Sequence, residues 1–172
     1  MLKVGITGNI AAGKSEVEKI ISKLGFLVFD LDKITHFLLE NDKKIQTKIL
    51  KIFQTLDRKE ISKVAFSDKN KLKLLEEIIH PELRLQVLKI FNQNKNQDKV
   101  FVSGALLYEA GFDKLFDKII FVDAQYLIRL QRLMKRNNFS IAQADERLKS
   151  QNLIFKDRAD FLIQNDSTVN EL

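Results

Sequence analysis

The sequence contains no cysteine among its 172 residues, which excludes a disulfide framework and any zinc site built on thiolates. Proline occurs once, at Pro81, and no low-complexity stretch, internal repeat or linker interrupts the chain. No apolar run approaches the roughly 20 residues that span a bilayer. The first residues pass straight into a strand pattern rather than a signal peptide. The expectation is therefore a cytoplasmic protein without a membrane partner. A stacking platform of aromatics among basic residues is also missing. The net charge of +6 is spread over scattered lysines such as Lys43, Lys44, Lys48 and Lys51, as on a solvated helical surface, and no nucleic-acid partner is expected. A positive field of this kind would still help to collect a polyanion.

Hydrophobic residues make up 45% of the chain, enough for the core of one domain. The stretch around which the rest is organised is Gly8-Asn9-Ile10-Ala11-Ala12-Gly13-Lys14-Ser15. It matches G-x-x-x-x-G-K-[ST], the phosphate-cradling P-loop. Leu2 to Thr7 reads as a buried strand before it, and Val17, Ile20, Ile21 and Leu24 fall on one helical face behind it. In that context backbone N–H groups and the helix N-terminus face phosphates. Lys14 would reach the β- and γ-phosphates, and the Ser15 hydroxyl would hold Mg²⁺. A guanine-reading Asn-Lys-x-Asp string is absent, Asn94-Lys95-Asn96-Gln97 being the nearest, which argues against a switch GTPase.

Gly25 to Phe29 reads as a second strand that ends at Asp30-Leu31-Asp32, with a helix starting near Lys33. If the first two strands are neighbours, these carboxylates stand near the loop, where open α/β sheets bind ligands. One of the pair is expected to cap the helix and the other to serve function. Residues 33–97 are helical in pattern, with stripes at Ile45, Ile49, Ile52 and Phe53 and at Leu72, Leu75, Ile78 and Ile79. His80-Pro81 should end one helix and start another, whose buried side is Leu83, Val87, Leu88 and Phe91. Val100 to Ser103, Ile119 to Asp123 and Phe161 to Ile163 read as three further strands. Asp123 has the position of a Walker B carboxylate, a generic pattern. Leu127, Leu130, Leu133 and Met134 line a helix that ends in Lys135-Arg136. Ser140-Ile141-Ala142-Gln143 has capping-box form, and Arg147 and Gln151 follow on the next helix. Strands alternating with helices predict an α/β fold: a P-loop three-layer sandwich on a five-stranded parallel sheet. Residues 1–172 are read as one kinase domain, with 33–97 a helical acceptor region and 124–152 a lid.

Several segments together resemble the dephospho-CoA kinase family. They are Gly5-Ile6-Thr7-Gly8 with the P-loop, Asp30-Leu31-Asp32, Asp57-Arg58 with Val64-Ala65-Phe66, and Leu75 through Pro81. Leu106-Leu107-Tyr108-Glu109, Arg132 through Arg136, Arg147 with Gln151, and Ala159-Asp160 with Asn165 complete the set. The departures are Ala11 and Ala12 where Gly and Ser are common, Ala105 for a proline, Arg129 for a frequent Gln, and Asp166-Ser167 after Asn165 without the usual Gly.

The resemblance implies that ATP and dephospho-CoA are the partners and Mg²⁺ the cofactor, in a monomer or small homo-oligomer. It implies ATP contacts at Gly8, Asn9, Ala11, Ala12, Gly13, Lys14, Ser15, Glu16, Arg136 and Arg147. On the acceptor side it implies Thr7, Asp32, His80, Pro81, Leu107 and Glu109, with Asp32 orienting the ribose 3′-hydroxyl. Lys14, Asp32 and Arg136 are the expected catalytic set. For Arg132 an exposed basic helix end is expected instead. Another small-metabolite kinase, a non-catalytic nucleotide-binding regulator and a basic nucleic-acid module are the competing readings.

Overall fold

A computed structural model describes residues 1–150 and 155–166, without the Phe66 side chain. Gln151, the end of the expected lid at 152, and Ser167 to Leu172 lie outside the described residues. The strands are β1 (Leu2–Gly8), β2 (Leu27–Asp30), β3 (Lys99–Ser103), β4 (Lys118–Asp123) and β5 (Phe161–Gln164). They form the expected five-stranded parallel sheet in the order β2-β3-β1-β4-β5.

Burial drives this sheet, because β1, β3 and β4 are apolar on both faces, as central parallel strands are. Successive residues of β4 point to opposite sides. Ile120 and Val122 join Val4 and Ile6 against Val17 and Ile21 of α1 (Lys14–Lys23) and Ile128 of α6 (Tyr126–Asn137). Ile119 and Phe121 join Tyr108, Phe116 and Phe155 on the other face. Ile6, Val100, Val102 and Val122 are fully buried, each worth about 1.5–3 kcal/mol over an exposed side chain. Leu24 and Leu127, which the periodicity puts on buried faces, are exposed instead. Leu24 is the residue where α1 ends, and Leu127 sits in the first turn of α6.

The chain divides into two compact units, Met1–Phe29 with Lys95–Leu172, and Asp30–Asn94. The second unit is helical: α2 (Leu31–Asn41), α3 (Lys43–Phe53), α4 (Arg58–Ser67) and α5 (Lys69–Gln93). Each starts on an aspartate, Asp30, Asp42, Asp57 or Asp68, whose carboxylate accepts two backbone N–H bonds of the first turn. Such caps contribute about 0.5–2 kcal/mol each.

Three expectations are corrected here. The helix after β2 begins at Leu31, not near Lys33, because the Asp30 cap sets its start. The neighbours of β1 are β3 and β4, so the argument that used β2 beside β1 to bring the aspartates to the loop lapses. Lastly, His80-Pro81 ends no helix: α5 runs from Lys69 to Gln93 with Pro81 inside it. The proline removes one N–H donor, yet buried Ile79, Leu83, Val87 and Phe91 continue the apolar side across it. Leu88 is about half exposed, because a stripe of i, i+4 and i+8 at Leu83, Val87 and Phe91 turns the residue beside Val87 outward.

Candidate active site

The carboxyl ends of β1, β3, β4 and β5 converge on the glycine-rich loop. Gly8 ends β1 where a Cβ would stand 2.2 Å from the Val122 carbonyl oxygen, so no side chain fits. Asn9 N–H bonds that same carbonyl at 3.0 Å. Thr7 is buried, and its hydroxyl donates to the Ala105 carbonyl at 3.3 Å. Beyond Asn9 the loop turns on an Ala12 N–H bond to the Asn9 carbonyl. Ala11 adopts φ 60° and Gly13 φ 98°. The left-handed conformation costs an alanine about 1–2 kcal/mol, offset by packing of Ala11 on buried Leu133, Ala144 and Leu148. α1 then begins at Lys14. Among the described residues the backbone N–H groups of Gly13, Lys14 and Ser15 have no partner, the usual state of a helix start that binds an anion.

The loop is held from outside as well. Asn165, buried just after β5, donates its Nδ2 to the Ala12 carbonyl at 2.8 Å. Arg132 of α6 donates to the same carbonyl at 3.3 Å, and to the Asn165 backbone and side-chain oxygens at 3.1 and 3.4 Å. A Cβ on Gly13 would meet the Asn165 Nδ2 at 2.1 Å. The expectation of an exposed helix end for Arg132 is thereby overturned: its guanidinium fork is half-buried against the loop.

Asp123, at the end of β4, is a hub. Its carboxylate accepts from Asn9 Nδ2 at 2.6 Å, Ala124 N–H at 2.8 Å and Lys156 Nζ at 2.9 Å. Burial pushes its pKa up, but the bonds from Lys156, Asn9 and Ala124 outweigh that and hold it below the usual carboxylate range. The Walker B position is thus spent on bracing the loop.

The reactive-looking side chains divide clearly. Lys14 Nζ lies 2.7 Å from Glu18, and Glu16 pairs with Lys19. Ser15 is exposed at the helix start. Arg136 is exposed at the end of α6, its Nε donating to the neighbouring Asn137 side chain. Arg147 is exposed on α7 (Ile141–Lys149), which opens with the expected Ser140–Gln143 capping box.

Of the acceptor-side candidates, Leu107 is buried and Glu109 exposed, both in the turns after β3. Asp32, His80 and Pro81 belong to the helical unit. Asp30 is the cap of α2, and Asp32 is exposed in the first turn of that helix. His80 is half-buried; burial pushes its pKa down, opposed by Glu76. Missed by the sequence reading were the Arg132 contact, the Asn9–Asp123–Lys156 hub and the Glu18 partner of Lys14. Only the last has a local signal, a carboxylate four residues after the loop lysine.

Comparison with known proteins agrees with this geometry. The family model described as dephospho-CoA kinase matches residues 2–171. A dephospho-CoA kinase of Fusobacterium nucleatum is 34% identical over 98% of this chain and 92% of its own length. Among solved structures, a dephospho-CoA kinase from Campylobacter jejuni is 31% identical, with a TM-score of 0.70 over 98% of this chain and 90% of that one. The Thermus thermophilus protein TT1252 superposes with a TM-score of 0.86 at 28% identity, covering 99% of this chain and 91% of that one.

Proposed function

The chain belongs to the dephospho-CoA kinase family, and from that premise we propose that it transfers the γ-phosphoryl group of ATP to the ribose 3′-hydroxyl of dephospho-CoA. The products are coenzyme A and ADP. The observation that carries the donor side is the run of unpartnered N–H groups at Gly13, Lys14 and Ser15, in a loop braced by Asn165, Arg132 and Asp123.

Phosphoryl transfer places charge on the equatorial oxygens of a loose transition state, so positioning and electrostatics do most of the work. The N–H groups hold the β-phosphate, and the Lys14 ammonium spans the β- and γ-phosphates. Arg136 and Arg147 close on the phosphates from the lid region, where the planar guanidinium suits two oxygens at once. A nucleotide-borne Mg²⁺ fits the donors at hand. The exposed Ser15 hydroxyl would hold such an ion together with water and phosphate oxygens. When bound, it would supply Lewis-acid neutralisation of the charge that develops on the transferred phosphoryl group. Asp32 orients the 3′-hydroxyl and accepts its proton as the O–P bond forms and ADP departs. On the acceptor side the family resemblance gives roles to Thr7, Leu107 and Glu109 and, in the helical unit, to His80 and Pro81, and the neutral state favoured at His80 suits a structural part there. Exclusion of water protects ATP from hydrolysis.

The test is ADP release across a panel of alcohols, with the product's phosphate located by ³¹P NMR. Dephospho-CoA should be turned over to the 3′-phosphate. Lys14→Ala should fold normally and lose about 10²–10³ in kcat. Phosphate at another position, or turnover of a different alcohol only, would refute the assignment.

A further inference from the structure

Lys14 opens α1, and its ammonium sits 2.7 Å from the Glu18 carboxylate one turn on, with the two side chains only 17% and 14% exposed. Glu16 is paired with Lys19. From Lys14 to Lys19 the helix therefore carries two cations and two anions, and its side-chain charge cancels. A loop that meets a polyanion gains nothing from such cancellation. Glu16 lies in the first turn, where an acid is favourable with the helix dipole; Glu18 lies beyond it, where that gain has faded. Nor does the pair do much for the helix. Lys preceding Glu at i,i+4 is the weaker orientation, and even the better one contributes only about 0.2–0.5 kcal/mol. What Glu18 does change is the lysine.

We propose that Glu18 is the counter-ion of the loop lysine, a positioning residue that fixes the direction of the ammonium and holds nucleotide affinity below what an unpaired Lys14 would give. This rests on the reading that Lys14 meets the β- and γ-phosphates. The ammonium has three N–H bonds; one points to Glu18, and the other two are left for phosphate oxygens. The carboxylate withdraws part of the attraction between lysine and polyphosphate, and so favours departure of ADP after transfer. It touches no reacting atom.

The experiment measures ADP affinity by calorimetry in the full-length chain, for wild type, Glu18→Gln, Lys14→Ala and the double variant. Glu18→Gln keeps the side-chain length and removes the charge. It should bind ADP about 3- to 10-fold more tightly, the scale of one partly buried charge at short range. Glu18→Ala should shift affinity in the same direction, and the KM for ATP should fall in both. In the Lys14→Ala background the same substitution should change ADP affinity less than about 2-fold, because the carboxylate acts through the lysine. If Lys14→Ala weakens binding while Glu18→Gln leaves it unchanged or weaker, the phosphate reading stands and the counter-ion role falls. Equal tightening with and without Lys14 would overturn it too, since Glu18 would then repel the phosphates directly. A Lys14→Ala variant with wild-type affinity would remove both readings.

Discussion

Replacing Gly13 by alanine tests whether the loop is clamped from outside or merely stable by itself. The residue sits at φ 98°, and its new methyl would stand 2.1 Å from the Asn165 Nδ2. Positive φ costs an L-residue about 1–2 kcal/mol. Asn165 must also swing away and lose its 2.8 Å bond to the Ala12 carbonyl, about 0.5–1.5 kcal/mol, and its buried amide then lacks a partner, a further 1–3. The sum is about 2.5–6.5 kcal/mol, a large share of the roughly 5–15 kcal/mol that holds a domain folded. Urea unfolding followed by far-UV circular dichroism reads this for Gly13→Ala, Asn165→Ala and the double variant. Asn165→Ala alone should cost about 1–2 kcal/mol. The double variant should lose at least about 1 kcal/mol less than the two losses added, because truncating the amide makes room for the methyl. Additivity within about 0.5 kcal/mol, or a Gly13→Ala loss below about 1 kcal/mol, would show that Asn165 is a neighbour of the loop and not its clamp.

Asp123→Asn should cost about 1–3 kcal/mol at neutral pH, since it breaks the bond to Lys156 and must share the others. Because the folded carboxyl is held below its ordinary pKa, its stabilisation is complete above about pH 4 and is lost as pH falls through the folded value. Urea midpoints from pH 7 to pH 3 should therefore show the gap between wild type and variant closing on the acid side; a constant gap would refute the linkage. Arg132→Lys should lower both stability and kcat, since lysine cannot reach Ala12 and both Asn165 oxygens at once. Arg136→Lys should lower kcat alone, and the reverse pattern in the same thermal melts and rate assays would exchange their roles. Asp32→Asn should lower kcat by about 10²–10⁴ with ATP binding intact. Asp30→Asn should cost mainly a helix cap, and a larger kcat loss there would exchange the two aspartates.

The phosphate loop, the strands and the capping box at Ser140 were legible because each is a local pattern with its own periodicity or spacing. The Asp30 cap was half legible: the aspartate pair is visible, but which member caps depends on where the helix starts, and that is set by backbone geometry. Pro81 misled because a rule about one missing N–H bond was set against the apolar side running from Ile79 to Phe91, and burial won. The order of the strands was not legible, since β1 pairs with segments far along the chain and nothing near it names them. Arg132 was hidden for the same reason. Its partners, Ala12 and Asn165, lie 120 and 33 residues away, and only the fold joins the three.

That remoteness also sets a timetable for synthesis. β1 is paired along its edges with Lys99–Ser103 and with Lys118–Asp123, so it leaves the ribosome before either strand that it bonds. Val4 and Ile6 stay uncovered while the helices from Asp30 to Asn94, whose contacts are short-range and quick to form, assemble ahead of it. Asn165 arrives later again. The nucleotide loop is thus translated well before the strands that frame it and takes shape only after them, and a nascent chain ending before about Asp123 presents an apolar strand to chaperones.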